Sequence, residues 1–108
     1  MKNRGNVKVV IWRPTIITSA YHQPFKGWTD SASAAGGLSL LTGLGLLKDI
    51  NGDGLATFDI VPVDYCSNGL LVATAYADMH QDFAEIYNCS SSMCNPIDLK
   101  TYRDIGVS

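Results

Sequence analysis

V-K-V-V-I-W-R-P-T-I-I-T-S-A-Y-H-Q-P-F-K-G-W, residues 7 to 28, decides the fold. Val7, Val9 and Ile11 alternate with Val10 and Trp12, so both faces of this run are apolar, as in a strand covered on two sides by helices. Such a strand needs parallel neighbours. Pro14 has no N–H to give a ladder, so the strand is expected to end at Arg13 and to turn Thr15 to Thr18 away from the sheet. A loop with aromatics, prolines and glycine follows. The stretch holds no nucleophile, base and orienting group close together, so catalytic chemistry has to come from elsewhere.

Outward from that strand, the chain of 108 residues is long enough for one domain. Its apolar fraction is 46% and its charged fraction 17%, which argues against disorder and, being short of charge, for some surface covered by another segment. With a net charge of −2 and its eight basic residues scattered, the chain offers no basic stripe for nucleic acid. Leu38 to Leu47 is apolar but far below the roughly 20 residues of a membrane span, and reads as a buried helix or turn. Three cysteines behind no secretory leader fit a reducing compartment better than a disulfide framework. Cys89 and Cys94 are spaced C-x4-C and, even with His22 and His80, do not form a zinc-type ligand set, so no metal site is assigned. Asn88-Cys89-Ser90 has the glycosylation pattern but falls in an expected strand.

Met1 to Asn6 reads as a polar lead-in and Ser19 to Gly37 as a long loop. Thr57 to Val63 is the second strand, ending near Pro62. Asp64 suits the N-cap of a helix over Tyr65 to Ala77, whose Cys66, Leu70, Ala73 and Ala77 form a core-facing stripe. Glu85 to Ser90 is a third, short strand. Asn95-Pro96 has the form of a helix start, Asp98 adds charge to its first turn and Gly106 suits its end. Strand, loop, strand, helix, strand, helix is an α/β order. Three strands with two to three helices fall short of a covered doubly wound sheet, so a partial domain is expected.

Asp49-Ile-Asn-Gly-Asp-Gly54 fits the first half of a calcium loop, but the closing position is Ile60, with Asp59 one residue early; a tight polar turn is the simpler account. Gly43-Leu-Gly45 lacks the third glycine of a dinucleotide fingerprint, since Lys48 stands there. No serine elbow is present, and Tyr21 is not followed by lysine four residues on.

R-P-T-I-I-T-S-A at 13 to 20, Q-P-F-K-G-W-T-D at 23 to 30 and D-I-V-P-V-D at 59 to 64, followed by Y-N-C-S at 87 and N-P at 95, resemble the ordered motifs of the fatty acyl-CoA reductases. These are the male-sterility-type branch of the extended short-chain dehydrogenases. The resemblance covers nearly all of the chain and implies the C-terminal part of an NAD(P)-binding Rossmann-like reductase domain, residues 1–108 forming one partial domain. It implies reduction of long-chain acyl-CoA to fatty alcohol with NADPH (or NADH), hydride going first to the thioester carbon and then to the aldehyde. The family's T-G-x-x-G-x-x-G loop and Y-x-x-x-K pair are absent from this sequence, so no catalytic residue is assigned, the chain alone is expected to be inactive, and the missing N-terminal portion is its implied partner. By the same resemblance Pro14, Thr15, Ile16 and Ile17 lie beside the nicotinamide, and Phe25, Gly27 and Trp28 beside the acyl substrate. The full-length enzyme is expected to face the cytosol, at peroxisomal or endoplasmic-reticulum membrane. The chain departs from the family's N-G-P-x-G at Ala34-Ala35-Gly36-Gly37, and has Leu44 where lysine is common. The alternatives are another extended short-chain dehydrogenase, for sugar nucleotides or steroids, and a small binding module using the Asp49 to Asp59 loop for calcium.

Overall fold

The structure, a computed structural model, describes residues 3–107, leaving Met1 and Lys2 of the lead-in outside it. The order is β1 (Val9–Pro14), β2 (Ile16–Thr18), α1 (Ala34–Gly43), β3 (Ile60–Pro62), α2 (Val63–Asp78), β4 (Ala84–Cys89) and α3 (Leu99–Val107). All named strand pairs are parallel: β1 lies beside β4, from Val9 opposite Ala84 to Pro14 opposite Cys89, and β2 beside β3, from Ile16 opposite Ile60 to Thr18 opposite Pro62. Helices packed on parallel strands make this part of a Rossmann-like α/β domain.

The proline does not end the extended segment, as its missing donor suggested. One absent N–H is tolerated at the end of a ladder, and the chain changes partner there instead. The Thr15 N–H donates to the Cys89 carbonyl at 3.0 Å and the Ile16 N–H to the Asp59 carbonyl at 3.2 Å. Thr15 to Thr18 therefore stay in the strand layer. Thr15 is the switch point between two strand pairs.

α2 carries the packing. Cys66, Ala73 and Ala77 are buried as their spacing requires, while Leu70, the fourth member of the expected stripe, is 41% exposed. Trp12 lies on this helix: its Nε1–H donates to Cys66 Sγ at 3.2 Å, and a methyl group on Gly69 would stand 2.7 Å from its ring. Gly69 is the gap that the indole fills. The strand is not buried on both faces, because no second layer covers its other side among the described residues; β1 is only half-buried and Val7 is 64% exposed.

Other boundaries shift for local reasons. α1 begins inside the segment read as loop, and its leucines are not buried: Leu40 and Leu41 are 52% and 44% exposed, because the helix packs mainly on β2 and α3. α3 starts at Leu99, later than Asn95-Pro96 suggested, since Asp98 is the cap, its carboxylate accepting the Thr101 N–H at 2.6 Å. The Thr101 hydroxyl first, and then this N–H, lower the Asp98 pKa. Gly106 continues the helix to Val107. The Tyr102 hydroxyl ties α3 to α1 by donating to the Ala35 carbonyl at 3.1 Å.

The radius of gyration is 17.1 Å, against about 13 Å for a compact chain of this length. The accessible surface is 7985 Å², against about 5,900 Å² for a self-contained protein of this mass. Leu71, Val72, Tyr76 and Met79 contribute to the excess along the outer side of α2, at 68%, 69%, 49% and 82% exposure.

Replacing Gly69 by alanine should destabilise the protein. Overpacking against the indole costs about 1–3 kcal/mol and removing a mid-helix glycine recovers about 1 kcal/mol, so a net loss of about 1 kcal/mol is expected as a lower thermal midpoint. An unchanged or higher midpoint would mean that Trp12 does not rest on Gly69.

Candidate functional site

Loop 20–28 is an ordered hairpin-like excursion. Its ends are joined by Ala20 N–H to the Trp28 carbonyl at 2.9 Å and Gly27 N–H to the Ala20 carbonyl at 2.8 Å. Gly27 has φ +80, a left-handed backbone that glycine adopts without strain, and the Gln23-Pro24 peptide is cis. The loop is fixed by Asp64. That carboxylate is 8% exposed and accepts three successive backbone N–H groups, Tyr21 at 3.0 Å, His22 at 2.8 Å and Gln23 at 3.1 Å. The expected helix cap is thus a loop clamp, with no side-chain cap bond of its own on α2. The Tyr21 amide first, then those of His22 and Gln23, outweigh desolvation and hold the Asp64 pKa at about 2.

The other carboxylate of D-I-V-P-V-D does equivalent work on the opposite side. Asp59 accepts Ser90 Oγ–H at 2.6 Å, Ser92 Oγ–H at 2.8 Å, Ser91 N–H at 3.0 Å and Thr15 Oγ1–H at 3.2 Å. The Ser90 and Ser92 hydroxyls hold its carboxyl well below the usual carboxylate range. It therefore pins the turn after β4 to the strand switch at Thr15.

Between these two anchors, at the C-terminal end of β2 and beside the N-terminus of α1, lies a cleft of about 470 Å³. Thr15, Ile16 and Ile17 line one part of it and Trp28 another, with Thr18, Ser19, Ser31, Val63 and the carboxylate-bearing Asp30 among the other walls. The crevice beyond the carboxyl ends of parallel strands, at a switch point, is where open α/β sheets take their ligands. Of the residues assigned from sequence, Thr15, Ile16, Ile17 and Trp28 come together. Pro14, Phe25 and Gly27 are not among those lining the cleft: Pro14 closes β1, Phe25 is 62% exposed and Gly27 forms the turn that delivers Trp28. Thr18, Ser19 and Val63 lay inside the quoted motifs without being assigned to the site, Ser31 lay just beyond Q-P-F-K-G-W-T-D, and the paired carboxylates of D-I-V-P-V-D were a signal that could have led to both anchors.

Apolar Ile16 and Ile17 beside hydroxyl-bearing Thr18 and Ser19 suit a flat heteroaromatic ring with a polar amide, so this donor set fits the nicotinamide end of a dinucleotide. Nothing lining the cleft is cationic. Its residues thus fit the ring end of such a cofactor and not its pyrophosphate.

The helix entering the cleft is strained at Ala34, whose φ of +47 lies in the left-handed region. Gly36 and Gly37 are obligatory there, since a Cβ would stand 2.7 Å from the Ser31 carbonyl oxygen and 2.3 Å from that of Ala32. The calcium-like loop does not close. Asp53 Oδ1 accepts the Leu55 N–H at 2.9 Å, Asp59 faces the serines, and among the described residues no group of three or more His, Cys, Asp or Glu could hold a metal ion.

The family described as male sterility protein, a family of NAD-binding domains, matches residues 1–70. Probable fatty acyl-CoA reductase 4 of Arabidopsis thaliana is 32% identical over 105 residues, 97% of this chain and 21% of that protein. Fatty acyl-CoA reductase 2 of Mus musculus is 34% identical over 93 residues, 85% of this chain and 18% of that protein. Fatty acyl-CoA reductase 1 of Homo sapiens matches at 34% over the same shares. The chain spans about a fifth of the length of these curated relatives.

Asp64 has an ordinary carboxyl pKa of 3.8 when unfolded and about 2 in the folded chain, so its clamp contributes fully above pH 3.8 and is lost as pH falls towards 2. Amide exchange at Tyr21, His22 and Gln23 should be slow at pH 5, and in Asp64→Asn it should be fast at the same pH; equal protection in both proteins would remove the clamp. At the cleft mouth, Ala34→Gly should raise the thermal midpoint by relieving about 1 kcal/mol of left-handed strain. A lower midpoint would place Ala34 outside that region.

Proposed function

The chain belongs to the male sterility protein family, and from that premise we propose that it supplies the nicotinamide-side wall and substrate loop of an NADPH-dependent, alcohol-forming fatty acyl-CoA reductase. The observation that carries this is the single cleft shared by Thr15–Ile17 and Trp28, two segments assigned separately from sequence to cofactor and substrate. The relatives named fatty acyl-CoA reductases support the substrate class.

In this reading the bound nicotinamide nucleotide supplies hydride. Ile16 and Ile17 form an apolar wall that keeps water from the reacting carbon, and Thr18 and Ser19 offer hydroxyls that orient the carboxamide. Trp28, delivered by the Asp64-clamped loop, covers the acyl side. Thr15 is committed to Asp59 and acts by fixing the strand switch. No tyrosine in the sequence has a lysine four residues on, so the proton donor to the carbonyl oxygen comes from outside these residues.

The same reading makes residues 1–108 the C-terminal portion of an NAD(P)-binding domain completed by a further, N-terminal segment. The surplus accessible surface and the bare apolar side of α2 support it. Three free cysteines accord with a cytosol-facing enzyme.

Protein expressed from the full reading frame should oxidise NADPH when given long-chain acyl-CoA and release fatty alcohol, while residues 1–108 alone should not. Trp28→Ala should lower kcat/KM for acyl-CoA by about tenfold, equivalent to about 1.4 kcal/mol of transition-state binding. Turnover of a sugar nucleotide or steroid in place of acyl-CoA would assign the chain to another short-chain dehydrogenase.

A further inference from the structure

A second cleft, of about 520 Å³, opens at the opposite end of α1. Lys48, Lys100 and Arg103 line it, with Asp49 as its one carboxylate. Arg103 is paired with Asp104 at 2.6 Å, whereas neither lysine forms an ion pair among the described residues, although the field of Lys100 reaches Asp98. The main chain at Lys100 is tied to the glycine turn, its N–H donating to the Gly54 carbonyl at 3.0 Å. Gly52 and Gly54 form a low wall beside it, a Cβ on Gly52 standing 3.4 Å from the Leu99 side chain. A slot with an apolar floor and unpaired ammonium groups suits a flat base carrying phosphates.

The two clefts are held at a fixed separation. α1 has ten residues, which makes it roughly 15 Å long. Tyr102, on the wall of the second cleft, bonds to the Ala35 carbonyl and to Ser39 Oγ at 3.1 and 2.5 Å, so α1 cannot swing without breaking both. The helix itself carries no charge: Ala-Ala-Gly-Gly-Leu-Ser-Leu-Leu-Thr-Gly offers methyls and hydroxyls only. A ligand spanning the clefts thus needs a reactive end, an uncharged spacer and a phosphorylated end.

Resting on the reductase reading of the first cleft, we propose that the second cleft binds the phosphorylated adenosine end of the acyl-CoA, with the uncharged pantetheine arm lying along α1. A dinucleotide reaching the same lysines would carry its pyrophosphate past a stretch with no cation to receive it. Lys48 and Lys100 are then determinants of coenzyme A affinity and take no part in hydride transfer.

The test is calorimetric titration of the protein from the full reading frame with coenzyme A, dephospho-coenzyme A, pantetheine and NADPH. In the exposed double variant Lys48→Gln/Lys100→Gln, coenzyme A affinity should fall about tenfold or more, with NADPH and pantetheine binding unchanged. Lys48→Arg/Lys100→Arg should retain coenzyme A binding, and dephospho-coenzyme A should lose less from the glutamine pair. Unaltered coenzyme A affinity in the glutamine variant, with acyl-CoA still reduced, overturns this assignment and leaves the reductase reading intact. Weakened NADPH binding in its place gives the cleft to the dinucleotide. Absence of both coenzyme A binding and acyl-CoA turnover in the wild type overturns the reductase reading and this assignment with it.

Discussion

The buried carboxylate of Asp64 and the three consecutive amides that it accepts hold the candidate site together. A carboxylate only 8% exposed is costly unless its oxygens are satisfied, and backbone N–H groups at Tyr21, His22 and Gln23 are costly unless they find acceptors. Each need meets the other, and the loop that carries Trp28 is fixed as a result. β3 is only three residues long, with Asp59 just before it and Asp64 just inside the helix that follows. One short strand therefore suspends a loop from each flank. Asp59 holds the serine turn after β4 and the hydroxyl of Thr15, and Asp64 holds the aromatic loop.

The strand switch makes the cleft between them. Because the segment carrying Pro14 stays in the strand layer and exchanges β4 for β3 at Thr15, Ile16 and Ile17 end as a wall of the cleft. Helix α1 lies between two clefts, one without cations at its start and one with Lys48, Lys100 and Arg103 at its end. The large surface and the exposed apolar residues of α2 show how much of this unit lacks cover among the described residues.

Much of this order was legible in the residues. The alternating run of β1, the helical spacing of Cys66, Ala73 and Ala77, and the parallel α/β arrangement all follow from side-chain periodicity. β2 was hidden because Pro14 looked like an end, and the cost of one missing donor depends on whether the next residue finds another strand, which local sequence does not encode. The start of α1 was hidden for a similar reason: Gly36 and Gly37 lower helix propensity, and they are there because the Ser31 and Ala32 carbonyls pass too close for any side chain. Asp64 read correctly as structural but not as a clamp, since its partners lie more than forty positions away. Four of the seven assigned site residues share the cleft; Pro14, Phe25 and Gly27 carry motif identity through chain geometry and not through cleft contact.

At the centre of the account is one site whose two walls are the switch strand and the Asp64-held loop. The direct measurement is photoaffinity labelling of the protein with a long-chain acyl-CoA carrying a diazirine near the carboxyl end, followed by peptide mapping. Adducts on the segments Thr15 to Ser19 and Trp28 to Ala34, suppressed by unlabelled acyl-CoA, are the predicted result. Adducts confined to the outer side of α2, around Leu71 to Met79, with neither wall labelled, would contradict it.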